Sequence, residues 1–193
     1  MVNDGSSKPL TEGVENIQRA LPTALWISYT DNMGKGYALR KGVEASEADY
    51  LIYTDHDIPY TSESMLECLE RMHLEGEEII IGHRDASYYR DLPWFRVKVS
   101  HYLKTINSFI LRIGTDDTQC GLKGFQKSIK PIFLATKTDR FLIDIEFLRR
   151  LKRKRKEVII VDVKSRDNVQ MSTLPIKTIF SELWAYIKIV IST

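Results

Sequence analysis

Residues 78–82, with three successive isoleucines at 79–81, and 158–163, nearly continuous in apolar side chains, lack strict alternation, and this constrains the fold more than any other feature of the chain. A strand with one wet face alternates apolar and polar; a strand apolar throughout has to be covered on both faces. Stretches with helical spacing alternate with the extended runs: one around residues 10–20, a helix leading to Ala45, and a helix after Ser64 with Met65, Leu69 and Met72 on one face. Another covers 140–154, with Phe141, Ile145 and Leu148 inward and Asp144 and Glu146 near its start. Strands alternating with helices predict an α/β fold, a mostly parallel sheet covered by helices. In such sheets ligands bind beyond the carboxyl ends of the strands. At 193 residues the chain is long enough for one such domain with a substantial core, and its 43% hydrophobic and 28% charged content is that of a globular protein.

The polar residues gather at those strand ends. Residues 49–53 form a short apolar and aromatic run that stops at Asp55-His56-Asp57. Continued strand alternation would point Asp55 and Asp57 to one side, with His56 facing away. Two hard oxygen ligands suit Mg²⁺ or Mn²⁺ held together with substrate phosphates. A solvated acidic turn is the plain alternative for any lone Asp-x-Asp. Asp4 follows another strand end and Arg84 a third. Lys35 lies between Gly34 and Gly36 at the start of a helix, where glycine lets backbone approach a ligand and lysine offers a point charge to phosphate. Arg96 and Ser100, four apart in a long amphipathic helix, share one helix face. Residues 116–125 are dense in polar groups yet bracketed by hydrophobic helices.

The net charge of +2 is close to neutral, but seven of the eight residues from 149 to 156 are basic. Such a run is either a wet helix face or a surface attracted to anionic lipid. The stripe of a last helix, residues 174–191, widens until its final turns are apolar nearly all round, which favours lipid or another docking surface. The only cysteines, Cys68 and Cys120, have no metal spacing, and no run of 18 apolar residues occurs. A reducing, cytoplasmic setting is therefore expected, with contact at the inner face of a membrane. Nothing points to a nucleic-acid partner, and homo-oligomerisation stays open.

Taken in order, the motifs resemble those of the family 2 glycosyltransferases of the GT-A fold, and most closely the branch acting on dolichyl or polyprenyl phosphates, the dolichol-phosphate mannose synthase type. Val2-Asn3-Asp4-Gly5-Ser6 is similar to the family's V-D-D-G-S turn, with Asn3 in place of the first aspartate. Asn32-Met33-Gly34-Lys35-Gly36-Tyr37-Ala38 is similar to N-x-G-K-G-x-A, and Asp55-His56-Asp57 to the D-x-D. Gly82-His83-Arg84 resembles the family's G-x-R, Arg96 with Ser100 its R-x-x-x-S, and residues 117–125 its D-x-x-x-G-x-x-x-F.

The resemblance implies a metal-dependent inverting transfer of sugar from a nucleotide-diphosphate donor to a polyprenyl phosphate or a glycan, as in cell-envelope glycan synthesis. It implies Mg²⁺ or Mn²⁺ on Asp55 and Asp57, and donor contacts from Asp4, Lys35 and Asp55. Arg84, Arg96 and Ser100 would hold an acceptor phosphate, and Asp117, with Asp116 second, would be the base for a hydroxyl acceptor. It divides the chain into a catalytic domain, 1–173, whose first strand–helix unit is missing, and a C-terminal amphipathic helix, 174–193. Two other readings stand beside it: a catalytically silent GT-A domain that binds nucleotide and metal, and, more remotely, an aspartyl phosphatase.

Overall fold

A computed structural model describes residues 1–7, 11–55, 57–84, 117–118 and 120–166. His56, Arg96, Ser100, Asp116, the long amphipathic helix expected after residue 94 and the C-terminal helix of 174–193 lie outside the described residues.

The chain runs β1 (Val2–Asp4), α1 (Thr11–Ala20), β2 (Ile27–Tyr29), α2 (Lys35–Ala45), β3 (Tyr50–Tyr53), α3 (Ser62–Leu74) and β4 (Ile79–Arg84). It continues through β5 (Lys123–Gln126), a 3₁₀ turn, α4 (Lys130–Leu134), α5 (Ile143–Arg153) and β6 (Ile159–Val163). Strands β1 and β2 pair in parallel as a small sheet of their own. The other four form a sheet in the order β3-β5-β4-β6. In it β4 and β6 are parallel, and β5 runs antiparallel to both β3 and β4.

The three isoleucines of β4 explain their own lack of alternation. Ile79 and Ile81 enter a cluster with Leu51, Tyr53, Phe125, Phe133 and Phe147, while Ile80 enters a second cluster with Cys68, Met72, Leu122 and Val161. Both faces are covered, so every residue of the run is apolar. The first cluster is aromatic at its centre, where the rings of Phe133 and Phe147 meet edge to face at 4.9 Å and those of Phe125 and Phe133 stack at 5.3 Å. On the opposite face α3 comes so close that a Cβ on Gly124 would lie 2.8 Å from the Met72 Cε. Thr61 starts this helix by accepting the Ser64 N–H.

Three details depart from the sequence reading. Strand β5 is not visible as an apolar run, because its four residues are Lys-Gly-Phe-Gln, yet it lies between β3 and β4. The buried face of α3 is Ser64, Cys68 and Met72 rather than Met65, Leu69 and Met72; Leu69, rotated off that face, is exposed. Helix α5 starts at Ile143, so Phe141 precedes it and is exposed instead of pointing inward.

Candidate active site

Strand β3 ends at Tyr53, two residues before the first carboxylate. The Ile58 N–H donates to the Asp55 carbonyl at 3.0 Å, closing a tight turn over 55–58, with Ile58 itself at φ 43°. Asp55 and Asp57 are therefore presented by a turn and not by continued strand alternation. Asp55 is half-buried and Asp57 exposed.

Lys35, the first residue of α2, reaches this turn: its Nζ lies 2.7 Å from Asp55 Oδ1 and 3.6 Å from Asp144 Oδ2. Asp144, in the first turn of α5, is buried. Its Oδ1 accepts from the Tyr53 hydroxyl at 2.7 Å and pairs with Lys123 Nζ at 2.9 Å. Lys123, itself fully buried, also donates to the Cys120 carbonyl. Two lysines and two aspartates thus alternate from the solvent edge into the core, formally neutral as a group.

Burial alone would raise the Asp144 carboxyl, but Lys123, Lys35 and the Tyr53 hydroxyl outweigh it and hold it below its ordinary value. Burial would likewise depress the Lys35 ammonium, but Asp144 and Asp55 keep it above its ordinary range. Both groups are charged. The other Asp55 oxygen rests against backbone: a Cβ on Gly121 would meet Oδ2 at 2.1 Å. Gly121 is fixed by its N–H to the buried Tyr60 hydroxyl, 2.9 Å.

The two glycines around Lys35 make room for the chain itself. A Cβ on Gly34 would lie 2.5 Å from the Asp139 carbonyl, and one on Gly36 2.2 Å from that of Thr138. The Asp139 carbonyl accepts the N–H groups of Gly36 and Tyr37, so two donors of the first turn of α2 are already taken by protein. The close approach expected of a ligand at these glycines is made by residues 138–140, and Lys35 is what α2 offers the site.

Asp4 serves the same loop. Its carboxylate accepts the N–H groups of Met33 and Gly34, both at 2.8 Å, tying β1 to the start of α2. Arg84 and Asp117 find each other: Arg84 Nε donates to Asp117 Oδ2 at 2.8 Å, Nη2 lies 2.5 Å from Oδ1, and the Arg84 N–H adds 3.0 Å to Oδ2. Asp117 is 1% exposed. A carboxylate with both oxygens on a guanidinium is held in place rather than presented to a substrate hydroxyl.

The structure thus joins Lys35 to Asp55, and Arg84 to Asp117. Sequence reasoning missed Lys123 and Tyr53 as parts of the site, had Gly121 only as a position of the 117–125 motif, and took Asp144 only as a helix-start acid. The available signal was Lys123 set between Leu122 and Gly124-Phe125, residues that otherwise suit a core strand.

Among the described residues no group of three or more His, Cys, Asp or Glu side chains is placed to hold a metal ion. The donor set here is two carboxylates, one half-buried and one exposed, which fits Mg²⁺ or Mn²⁺ sharing its remaining positions with phosphate and water.

Residues 1–133 match the family described as Glycosyl transferase family 2. The chain belongs to that family. A dolichyl-phosphate beta-glucosyltransferase of Trichomonas vaginalis is 30% identical over 154 residues, spanning 77% of this chain and 47% of the relative. The human dolichyl-phosphate beta-glucosyltransferase is 28% identical over 141 residues, 63% of this chain and 40% of that protein. The chain spans about half the length, or less, of these curated relatives. Glucosyl-3-phosphoglycerate synthase of Mycobacterium tuberculosis, solved with UDP, superposes with a TM-score of 0.63 at 15% identity, over 99% of this chain and 66% of that one. The same enzyme with Mn²⁺, UDP-glucose and phosphoglyceric acid gives a TM-score of 0.62 at 14% identity, with the same coverage. The fold of this family 2 member is therefore GT-A.

Proposed function

We propose that the protein takes part in inverting transfer of a hexose, glucose in the first instance, from a nucleotide diphosphate to a polyprenyl phosphate. The observation that carries this reading is the Asp55–Asp57 turn with Lys35 against it, within the stretch that matches the family. Asp55 and Asp57 would hold Mg²⁺ or Mn²⁺, which when bound supplies charge neutralisation for the departing diphosphate. Lys35 adds a positive charge to the same edge, and Gly121 and Tyr60 fix the orientation of Asp55. Asp4 contributes indirectly, by ordering the loop that precedes Lys35.

The arrangement of Asp117 supports a phosphate acceptor. A sugar hydroxyl needs a base to remove its proton, and both Asp117 oxygens already accept from Arg84. A lipid phosphate is anionic before it attacks and needs no base. Arg84 then acts as the brace of Asp117, and acceptor contact falls to Arg96 and Ser100. The basic run of 149–156 supports work at an anionic membrane surface on the cytoplasmic side: Arg150 pairs with Glu146 and Lys156 with Glu78, while residues 152–155 point to solvent. No helix among the described residues is long and apolar enough to cross a membrane.

Calorimetric titration of UDP and GDP, with and without Mn²⁺, on wild type and Asp57→Ala tests the donor site. Transfer of labelled glucose to a short polyprenyl phosphate tests the acceptor. Binding that needs both Mn²⁺ and Asp57, with transfer to lipid phosphate, is the expected result. Nucleotide binding without any transfer would establish the silent, binding-only domain instead. A folded protein that binds neither nucleotide would overturn both.

A further inference from the structure

Lys35 stands between two carboxylates at unequal distances, and the inequality has a use. Its Nζ makes a hydrogen-bonded ion pair with Asp55 Oδ1 at 2.7 Å, while Asp144 Oδ2, at 3.6 Å, is within ion-pair range but beyond a good hydrogen bond. Asp144 cannot move to meet it, because its other oxygen is fixed by Tyr53 and Lys123 at 2.7 and 2.9 Å. Lys35 can move: its side chain is 22% exposed, on a flexible four-carbon stem rooted in the first turn of α2. The contact that Lys35 now makes is with a carboxylate the donor site requires.

We propose that Lys35 is an exchangeable counter-ion: it holds the Asp55 carboxylate until a divalent cation enters, then withdraws onto Asp144 Oδ2. Asp144 is then a positioning residue, a fixed receiving site built into the core, with Lys123 and Tyr53 as its supports. This proposal rests on the reading of Asp55 and Asp57 as the metal-holding pair. The exchange keeps Asp55 compensated at every stage, so the site is never left as bare adjacent carboxylates. It also leaves the ammonium beside the incoming diphosphate instead of expelling it. Gly121, packed on Asp55 Oδ2, confines the carboxylate while its partner changes.

The test is Mn²⁺ binding without nucleotide, read from the free-ion paramagnetic resonance signal, on wild type, Lys35→Met, Asp144→Asn and the double variant, each checked by thermal melt. Removing the competitor makes Lys35→Met bind Mn²⁺ about fivefold tighter, the scale of one partly exposed ion pair. Asp144→Asn binds more weakly than wild type, because Lys35 then has no second place to go. In the Lys35→Met background the same Asp144→Asn change has less than a twofold effect. A general loss of structure would weaken binding in every variant, and simple loss of negative charge would weaken it equally with or without Lys35. Either pattern, or Lys35→Met binding no tighter than wild type, overturns the exchange. If wild type binds Mn²⁺ in an Asp57-dependent way while Lys35→Met is unchanged, only this proposal falls. If wild type binds no Mn²⁺ even with UDP, the donor-site reading falls with it.

Discussion

Replacing Lys123 by Met removes a fully buried ammonium while keeping most of its length and apolar stem. The lost partners are the Asp144 carboxylate at 2.9 Å and the Cys120 carbonyl. At an effective dielectric of about 20, an ion pair at that distance attracts by roughly 6 kcal/mol before desolvation is counted. Desolvation of the ammonium offsets much of this, so the relevant cost is that of leaving Asp144 buried without its nearer cation, about 3–5 kcal/mol. Lys35, at 3.6 Å from Oδ2, and the Tyr53 hydroxyl remain, which places the expected loss near the lower end, about 3 kcal/mol. For a domain of ordinary stability that is a large fraction of the total. Urea denaturation followed by circular dichroism measures it. The decisive comparison is the double variant Lys123→Met with Asp144→Asn, which removes the stranded charge and should recover at least about 1 kcal/mol relative to the sum of the single losses. A Lys123→Met loss below about 1 kcal/mol, or strict additivity in the double variant, would refute the view that these buried charges depend on one another.

Gly121→Ala places a methyl where Asp55 Oδ2 now lies, 2.1 Å from the new Cβ, so the carboxylate has to move by about 1 Å; the fold should persist by thermal melt while Mn²⁺–UDP affinity drops about 100-fold by calorimetry. Gly36→Ala meets backbone instead, the Thr138 carbonyl at 2.2 Å, and should lower the melting temperature as well as disturb Lys35. Asp144 and Glu146 both have carboxyls held below their ordinary values, against burial, by Lys123 and Lys35 for the first and by the Thr138 and Lys137 N–H groups with Arg150 for the second. Their contribution to stability is full above the unfolded carboxylate range, about pH 4, and is lost as pH falls through the lower folded values; Asp144→Asn should flatten that acid limb in pH-dependent melts. Burial pushes the Cys68 thiol up to about 12 and also raises that of Cys120, so neither should react with a thiol reagent at pH 8 until denaturant is added.

The strands with continuous apolar content were legible because burial on both faces leaves a plain mark, as in Ile79, Ile80 and Ile81. Strand β5 left none. Lys-Gly-Phe-Gln is a poor strand by composition, and what makes it one is tertiary: Gly124 admits Met72, and Lys123 answers a carboxylate 21 residues later in the chain. The carboxylate pair after β3 was visible as chemistry, but its presentation was not, since the turn over 55–58 depends on a backbone hydrogen bond and a left-handed Ile58 that no side-chain pattern encodes. Glycines flanking Lys35 misled in an instructive way: a missing Cβ marks close approach, and only the fold reveals that the approaching group is the 138–140 backbone. Arg84 and Asp117 were each legible as polar residues at a strand end or in a polar loop; that they neutralise one another was not, because 33 residues separate them.

The small β1–β2 sheet has a consequence for the timing of events at the site. Its strands are three residues each, partly buried or exposed, and among the described residues share no ladder with the four-stranded sheet. Such a pair opens at lower free energy than a core strand like β4, and its amides should exchange with solvent sooner. Each opening frees Asp4 from the Met33 and Gly34 amides, and with them the segment that leads directly into Lys35. The order of the segment before Lys35 is therefore set in part by local fraying some thirty residues upstream, and if the proposed nucleotide donor binds there, it should slow amide exchange in β1 and β2.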